Sequence, residues 1–219
     1  LLEILNEPDL DPVLWPSHVR RLTQELRRLF PLHTLVVGPA LSQRHEALAA
    51  LPLLDDPNIL YAVHFYDPLI FTHQGADWHA DEDPIKHFRQ LPFPMSFDDR
   101  AVQSLYRSLL NEQKKDAAAF LATQLQTPST DKNIEQAVGI MRQWSDTHRH
   151  MIIINEFGVL SHHSPRLARL SWLNSGVRHA EANCIGWAHW DFSDGFGFVD
   201  NQSQKIDQSI LNIFLHNDK

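Results

Sequence analysis

The sequence predicts an α/β fold, a parallel sheet assembled from βα units, and two observations carry that expectation. Short apolar runs of strand length alternate with longer stretches whose apolar residues recur at helical spacing. The 219 residues, 43% apolar and 21% charged with 13 Pro and 8 Gly, also have the make-up of a globular chain that can bury a core. One mixed domain over 1–219 is the expectation, with no repeat, low-complexity tract or linker to divide it.

The first run, LLEILN at 1–6, stops abruptly at Asn6, Glu7 and Pro8 and reads as a strand with no start signal before it. Residues 16–30 follow as a helix, with Leu22, Leu26, Leu29 and Phe30 on one stripe and Pro16 and Ser17 at its start. Strands are expected at 34–38 and 59–65. About sixty residues then separate the strand ending near Phe65 from the helix at Asp131, far beyond an ordinary connection. The first part of this excursion, 67–94, is rich in Pro, Asp and His and reads as loop, with Asp83 before Pro84 starting a turn or helix. Residues 97–125 read as helical, with Leu105, Leu109, Leu110, Phe120 and Leu121 as its apolar side. Ile134, Val138, Met141 and Trp144 define a helix over 131–148, and 151–155 forms the next strand. A helix over 165–181, a strand over 184–190 and a helix over 207–215 complete the pattern.

Composition excludes several classes of function. A formal charge of −8 with scattered basic residues disfavours a nucleic-acid or anionic-membrane partner, and no apolar run approaches the roughly 20 residues that span a bilayer. The single Cys184, set between Asn183 and Ile185, excludes an internal disulfide and every multi-cysteine metal site, and is expected as a buried thiol. The histidine pairs His148/His150 and His162/His163 lack the helical i, i+4 spacing of a zinc site, so no metal is expected. The acidic groups at 55–56, 81–83 and 98–99 read as solvated loops and caps rather than a calcium site. Trp15, Trp144 and Trp172 fall on or beside helical stripes and are expected in the core.

Two predicted strands end alike, Leu5-Asn6-Glu7-Pro8 and Ile154-Asn155-Glu156-Phe157-Gly158. A glutamate closing an apolar strand is costly to bury and needs a partner or a task. In a parallel barrel the strands' carboxyl ends converge on one face, so two such glutamates would meet across a pocket. A third strand end carries His64 and Tyr66, two residues apart and so expected on one side, and a fourth offers Trp187 and Trp190, flat faces on which sugar C–H groups can stack. Paired carboxyl groups beside such a platform suit cleavage of a glycosidic bond, where one protonates the leaving oxygen and the other attacks the anomeric carbon.

The run of Asn6-Glu7-Pro8, His64-Phe65-Tyr66, the stretch THQGADW at 72–78, Asn155-Glu156-Phe157-Gly158 and WAHWDFSDGFG at 187–197 resembles the cellulase-type glycoside hydrolases of family 5, in order and over nearly the whole chain. The resemblance implies a (β/α)8 TIM barrel and a retaining, two-glutamate mechanism without a cofactor. Carried onto these residues it makes Glu7 the acid/base and Glu156 the nucleophile. Asn6 would hold the sugar 2-hydroxyl, Tyr66 would orient Glu156, His64 would join the polar network, and Trp190 and Trp78 would be stacking platforms. Glu7 would have to carry a proton at rest while Glu156 is ionised. The substrate implied is a β-1,4 or mixed-linkage glucan, with mannan as the nearest rival, and the protein implied is an exported or periplasmic enzyme, monomeric when complete.

The chain departs from the family pattern in two places. If 1–6 is the fourth strand, the expectation is an incomplete barrel, strands 4 to 8 with their helices, because five parallel strands cannot close an eight-stranded barrel. The stretch 97–125 is expected as an insertion after the sixth strand. A competing expectation from another class follows: a catalytically dead fragment whose open edge at 1–6 favours association. A barrel phosphohydrolase or isomerase is disfavoured, since no Gly-rich phosphate loop follows the last strands.

Overall fold

The computed structural model describes residues 1–215. They form two compact units interleaved along the chain: unit 1 comprises 1–65, 136–157 and 180–188, and unit 2 comprises 66–135, 158–179 and the remainder from 189.

Unit 1 is built on the sheet. β1 (Leu2–Glu3), β2 (Leu35–Val37), β3 (Ile59–Phe65), β4 (Ile152–Phe157) and β5 (Gly186–His189) lie in that spatial order. The β1–β2, β2–β3 and β3–β4 pairings are parallel, as the alternation of apolar runs and helices predicted. β2 and β3 are buried over nearly their whole length, as expected for strands covered on both faces. Helix α1 (Trp15–Leu29) lays Trp15, Val19 and Thr23 inward, and the Trp15 indole N–H donates to the Gly38 carbonyl at 2.9 Å. Ser17 does not cap this helix from ahead, for its hydroxyl donates back to the Leu14 carbonyl. Tyr61 is fully buried in β3, its hydroxyl bridging the Leu54 N–H and the Pro52 carbonyl and its ring against Trp144.

β1 is shorter than the run 1–6: its register with β2 covers Leu2 and Glu3, the Ile4 N–H adds a bond to the Val36 carbonyl at 3.1 Å, and Leu1 and Leu5 are exposed. Past β2 the one-turn α2 (Ala40–Gln43) winds left-handed, with φ of 57°, 54° and 57° at Leu41, Ser42 and Gln43. A 3-10 helix at His45–Ala50 follows it. Cys184 corrects the expectation of a buried thiol: it is exposed, at φ 53° in the turn ahead of β5, and the neighbouring Ile185 takes the buried position.

Unit 2 holds the long excursion. After α3 (Leu69–Thr72), Asp83 caps a 3-10 helix at Pro84–His87 through its carboxylate on the Ile85 N–H, as expected of that residue. The expected helical stretch 97–125 is two helices, α4 (Arg100–Asn111) and α5 (Lys115–Gln124), because Gln113, at φ 61°, interrupts the helical backbone between them. Phe71, Phe88, Leu91, Val102 and Leu121 form the core of this region. α6 (Asp131–His148) and α7 (Arg166–Ala182) come next in the chain. The Asp131 carboxylate, which starts α6, accepts from Ser175, Arg178 and His179 on α7. Burial alone would raise its pKa, but these donors outweigh it and hold the carboxyl at about 2.

Arg169 on α7 is buried and donates to the carbonyls of Val159, Phe196 and Gly197, while burial brings its guanidinium down to about 10. It thereby fixes the loop that leads to α8 (Gln208–Leu215). Trp15, Trp144 and Trp172 are all buried, as their helical positions predicted. No helix of the described residues is long and apolar enough to cross a membrane.

Candidate active site

Three side chains of unit 1 converge. β4 ends in Glu156 and β3 in His64, and their register carries a shift: Val63 pairs with Ile154, but His64 pairs with Glu156. Asn155 is therefore an extra residue in β4, a bulge. In a ladder of period two a one-residue change turns every later side chain to the other face, so this bulge sets Glu156 opposite His64. The third group, Glu7, lies beyond β1 at φ 45°, a left-handed conformation costly for any residue but glycine.

His64 Nδ1 lies 2.9 Å from Glu7 Oε1 and 3.3 Å from Glu156 Oε2. An oxygen from each carboxyl and an imidazole nitrogen all fall within 4.8 Å of one another. The His64 side chain is 2% exposed, that of Glu156 16% and that of Glu7 42%, so a buried imidazole links a sheltered carboxyl to an open one. Such a group can hand a proton to a leaving oxygen and present a nucleophile to the carbon it leaves; its three donor atoms are also near enough to hold one cation. Neither His148/His150 nor His162/His163 joins a three-donor group among the described residues.

Around the triad sits polar support that sequence reasoning missed. The buried Gln43 of α2 accepts the Glu7 N–H at 2.7 Å and donates to Glu3 Oε1 at 2.9 Å, and Glu3 Oε1 also accepts from Asn155 Nδ2 at 3.0 Å. Glu3 was the one visible signal, a carboxylate inside an apolar run. Asn6 is exposed immediately before Glu7.

Unit 2 carries the predicted aromatic residues. β3 stops at Phe65, so Tyr66 lies past the strand whose alternation was to orient it. It packs on Ala76, Leu160 and Phe196, with ring centroids 4.9 Å from His73 and 5.9 Å from Phe196. Trp78 joins this cluster at 6.1 Å from both His73 and Phe196, and is 58% exposed. Trp190 is 49% exposed, and the Trp190–Asp191 peptide is cis. His73 and Phe196 belong to this aromatic surface although the sequence singled out neither; both stood inside motifs quoted for other residues.

Comparison with known proteins agrees with these motifs. The family model for cellulase (glycosyl hydrolase family 5) matches residues 1–195. Endoglucanase 3 of Fibrobacter succinogenes is 28% identical over 204 residues, covering 91% of this chain and 30% of its own. Among solved structures, the cellulose synthase subunit Z (CcsZ) of Clostridioides difficile aligns with a TM-score of 0.75 at 23% identity, over 97% of this chain and 60% of that one. Thermotoga maritima Cel5A in complex with cellobiose aligns at 0.73 and 24%, over 96% and 58%. The same protein with mannotriose aligns at 0.72 and 22%, over 96% and 58%. At these identities the structural likeness speaks for the fold, an α/β chain with a parallel sheet like that of its TIM-barrel neighbours. The chain spans from under a third to about three fifths of the lengths of these relatives.

Proposed function

We propose, from the premise that this chain belongs to the cellulase family, glycosyl hydrolase family 5, that it carries the catalytic pair of a retaining endo-β-glycosidase acting on β-1,4 or mixed-linkage glucan. Its five strands are read as the fourth to eighth of a (β/α)8 barrel. The observation that carries the proposal is the meeting of Glu7 and Glu156, 149 positions apart in sequence (156 − 7), on one imidazole nitrogen. Inverting enzymes keep their carboxyl groups about 6.5–9.5 Å apart to admit a water, and retaining enzymes about 5–5.5 Å. Oxygens within 4.8 Å of each other support the retaining class.

In the first step Glu156 attacks the anomeric carbon as the bond to the leaving oxygen breaks, and Glu7 gives that oxygen its proton. In the second, Glu7 takes a proton from water, whose oxygen displaces Glu156 from the anomeric carbon. Asn6 holds the sugar 2-hydroxyl. From unit 2 the proposal takes Tyr66 as the hydroxyl that orients the nucleophile and Trp78 and Trp190 as faces for sugar rings. A second reading, hydrolysis of mannan, is favoured by the mannotriose complex of a structural relative.

The test is hydrolysis of barley β-glucan, carboxymethylcellulose and a β-mannan by the full-length protein, with the product anomer followed by NMR from the first turnover. The expected product from glucan keeps the β configuration, and Glu156→Gln lowers kcat on it by several orders of magnitude while thermal unfolding is unchanged. An α product, or activity that survives Glu156→Gln, overturns the assignment; turnover of mannan alone selects the second reading.

A further inference from the structure

We propose that Gln43 is the positioning residue for Glu7, holding the acid/base in place through its backbone rather than its carboxyl group. This rests on the functional reading above and goes beyond it, since Gln43 lies 36 positions from Glu7 and touches no sugar in that mechanism.

Glu7 needs outside support. The last backbone bond from this strand to β2 is the Ile4 N–H on the Val36 carbonyl at 3.1 Å, and Glu7 lies three residues beyond it at φ 45° with its side chain 42% exposed. A non-glycine residue held in that region persists only when its surroundings over-determine it. The Gln43 amide does so: its carbonyl accepts the Glu7 N–H at 2.7 Å, a short bond for that pair of atoms. The direction of the amide is fixed at its other end, where Nε2 faces Glu3 Oε1 at 2.9 Å, an oxygen that can only accept when ionised. A carboxylate at position 43 would face Glu3 with like charge, and an asparagine would be one methylene short. Glutamine is the residue that meets both ends.

The turn that delivers Gln43 is itself costly. Leu41, Ser42 and Gln43 are three successive residues at positive φ, a region disfavoured for every L-residue because Cβ crowds the following carbonyl oxygen. The Ser42 N–H reaches back to the Pro8 carbonyl, next to Glu7, at 3.4 Å. Gln43 is completely buried, and a Cβ on Gly38 would come within 2.4 Å of its Cγ, so glycine at 38 makes the room in which the amide lies. Because Glu3 also accepts from Asn155, the residue before Glu156, the same amide ties the loop of one glutamate to the strand of the other.

Misplacing a proton donor harms reactions in proportion to their need for the proton. Gln43→Met keeps the volume and removes both hydrogen bonds. In the full-length protein it should lower kcat/KM on cello-oligosaccharides by about tenfold to a hundredfold. On 2,4-dinitrophenyl β-cellobioside, whose leaving group departs as an anion without a proton, kcat/KM should change by less than about threefold. Gly38→Ala, which displaces the amide but leaves it present, should give the same pattern in milder form. Equal loss on both substrates would mean a merely structural role and overturn the proposal. Glu7→Gln is the control: if it lacks the leaving-group dependence, the functional reading falls. If it shows the dependence and the Gln43 and Gly38 variants do not, the positioning role alone falls. Should neither variant fold, amide hydrogen exchange of the wild type decides, since the Glu7 N–H must be protected; exchange at the rate of an open loop would overturn the proposal.

Discussion

The two glutamates stand in nearly the same sequence, Asn-Glu after an apolar run, yet the fold holds them by opposite means. Glu156 closes β4, six residues long and paired with β3 inside the sheet, and it owes its direction to a bulge. Glu7 follows β1, two residues long at the sheet edge, and it owes its place to a side chain from a left-handed turn. One is fixed by the backbone ladder, the other by a single amide. The difference fits their proposed tasks: a nucleophile attacks along one line, whereas an acid/base must serve two oxygens in succession and sits at the open side of the cluster.

The largest expected effect breaks the ladder side of this comparison. Inserting one alanine between Asn155 and Glu156 places the new residue opposite His64 and turns the glutamate to the other face of the sheet. Hydrolysis should fall to the level of Glu156→Gln, measured beside circular dichroism to establish that helices persist. Retained activity would mean that the bulge does not aim the nucleophile.

Next comes a contrast in stability. Ile154, two residues before Glu156, is 2% exposed, whereas Leu5, two residues before Glu7, is 44% exposed. Ile154→Ala should cost about 2–5 kcal/mol in urea unfolding, and Leu5→Ala less than about 0.5 kcal/mol. Equal losses would show β1 to be as firmly held as β4, and the contrast would fail.

What the sequence revealed follows the same division. Strands β2, β3 and β4 and helix α6 stood out because their residues are buried in regular periods, and Glu156 with them. The end of β1 was misjudged because the apolar run continues through Ile4 and Leu5 after the register with β2 has stopped at Glu3. The break between α4 and α5 turns on one residue, Gln113 at positive φ, where no glycine or proline marks it. Gln43 was invisible, since its value comes from a contact across 36 positions and a strained turn, neither of which leaves a periodic trace. His64 was found by its place at a strand end, but its role as a bridge needed the bulge, which nothing in the sequence marks.

Acid offers a smaller effect, and it falls in unit 2. His189, half-buried in unit 2 against Phe198 and Phe214, has its pKa lowered to about 4 by desolvation and by the nearby Arg169, against a weaker opposing hydrogen bond to the Asp191 carbonyl. The unfolded chain binds this proton at about 6.5 and the folded chain only near 4, so stability is full above pH 6.5 and declines as pH falls toward 4. The loss is at most about 3 kcal/mol. Urea midpoints should fall over that interval in the wild type and change less in His189→Phe. If both fall equally, the acid sensitivity lies elsewhere than His189.

The smallest expected effect is that of a chelator. Glu7, His64 and Glu156 present three donor atoms within 4.8 Å, so the cluster is near enough to hold a cation, and this is the one reading in which the two glutamates would do the same job. The imidazole argues against it. Its Nδ1 faces oxygens of both carboxyls at 2.9 and 3.3 Å, and in the tautomer that carries the proton on Nδ1 this nitrogen has no lone pair for a metal. Dialysis against EDTA should therefore change hydrolysis by less than about twofold, whereas loss of a metal ligand or its support typically costs 10–100-fold. A large loss restored by one divalent cation would make the pair symmetric ligands, and the contrast between ladder and amide would then concern how a metal is held rather than how a proton is delivered.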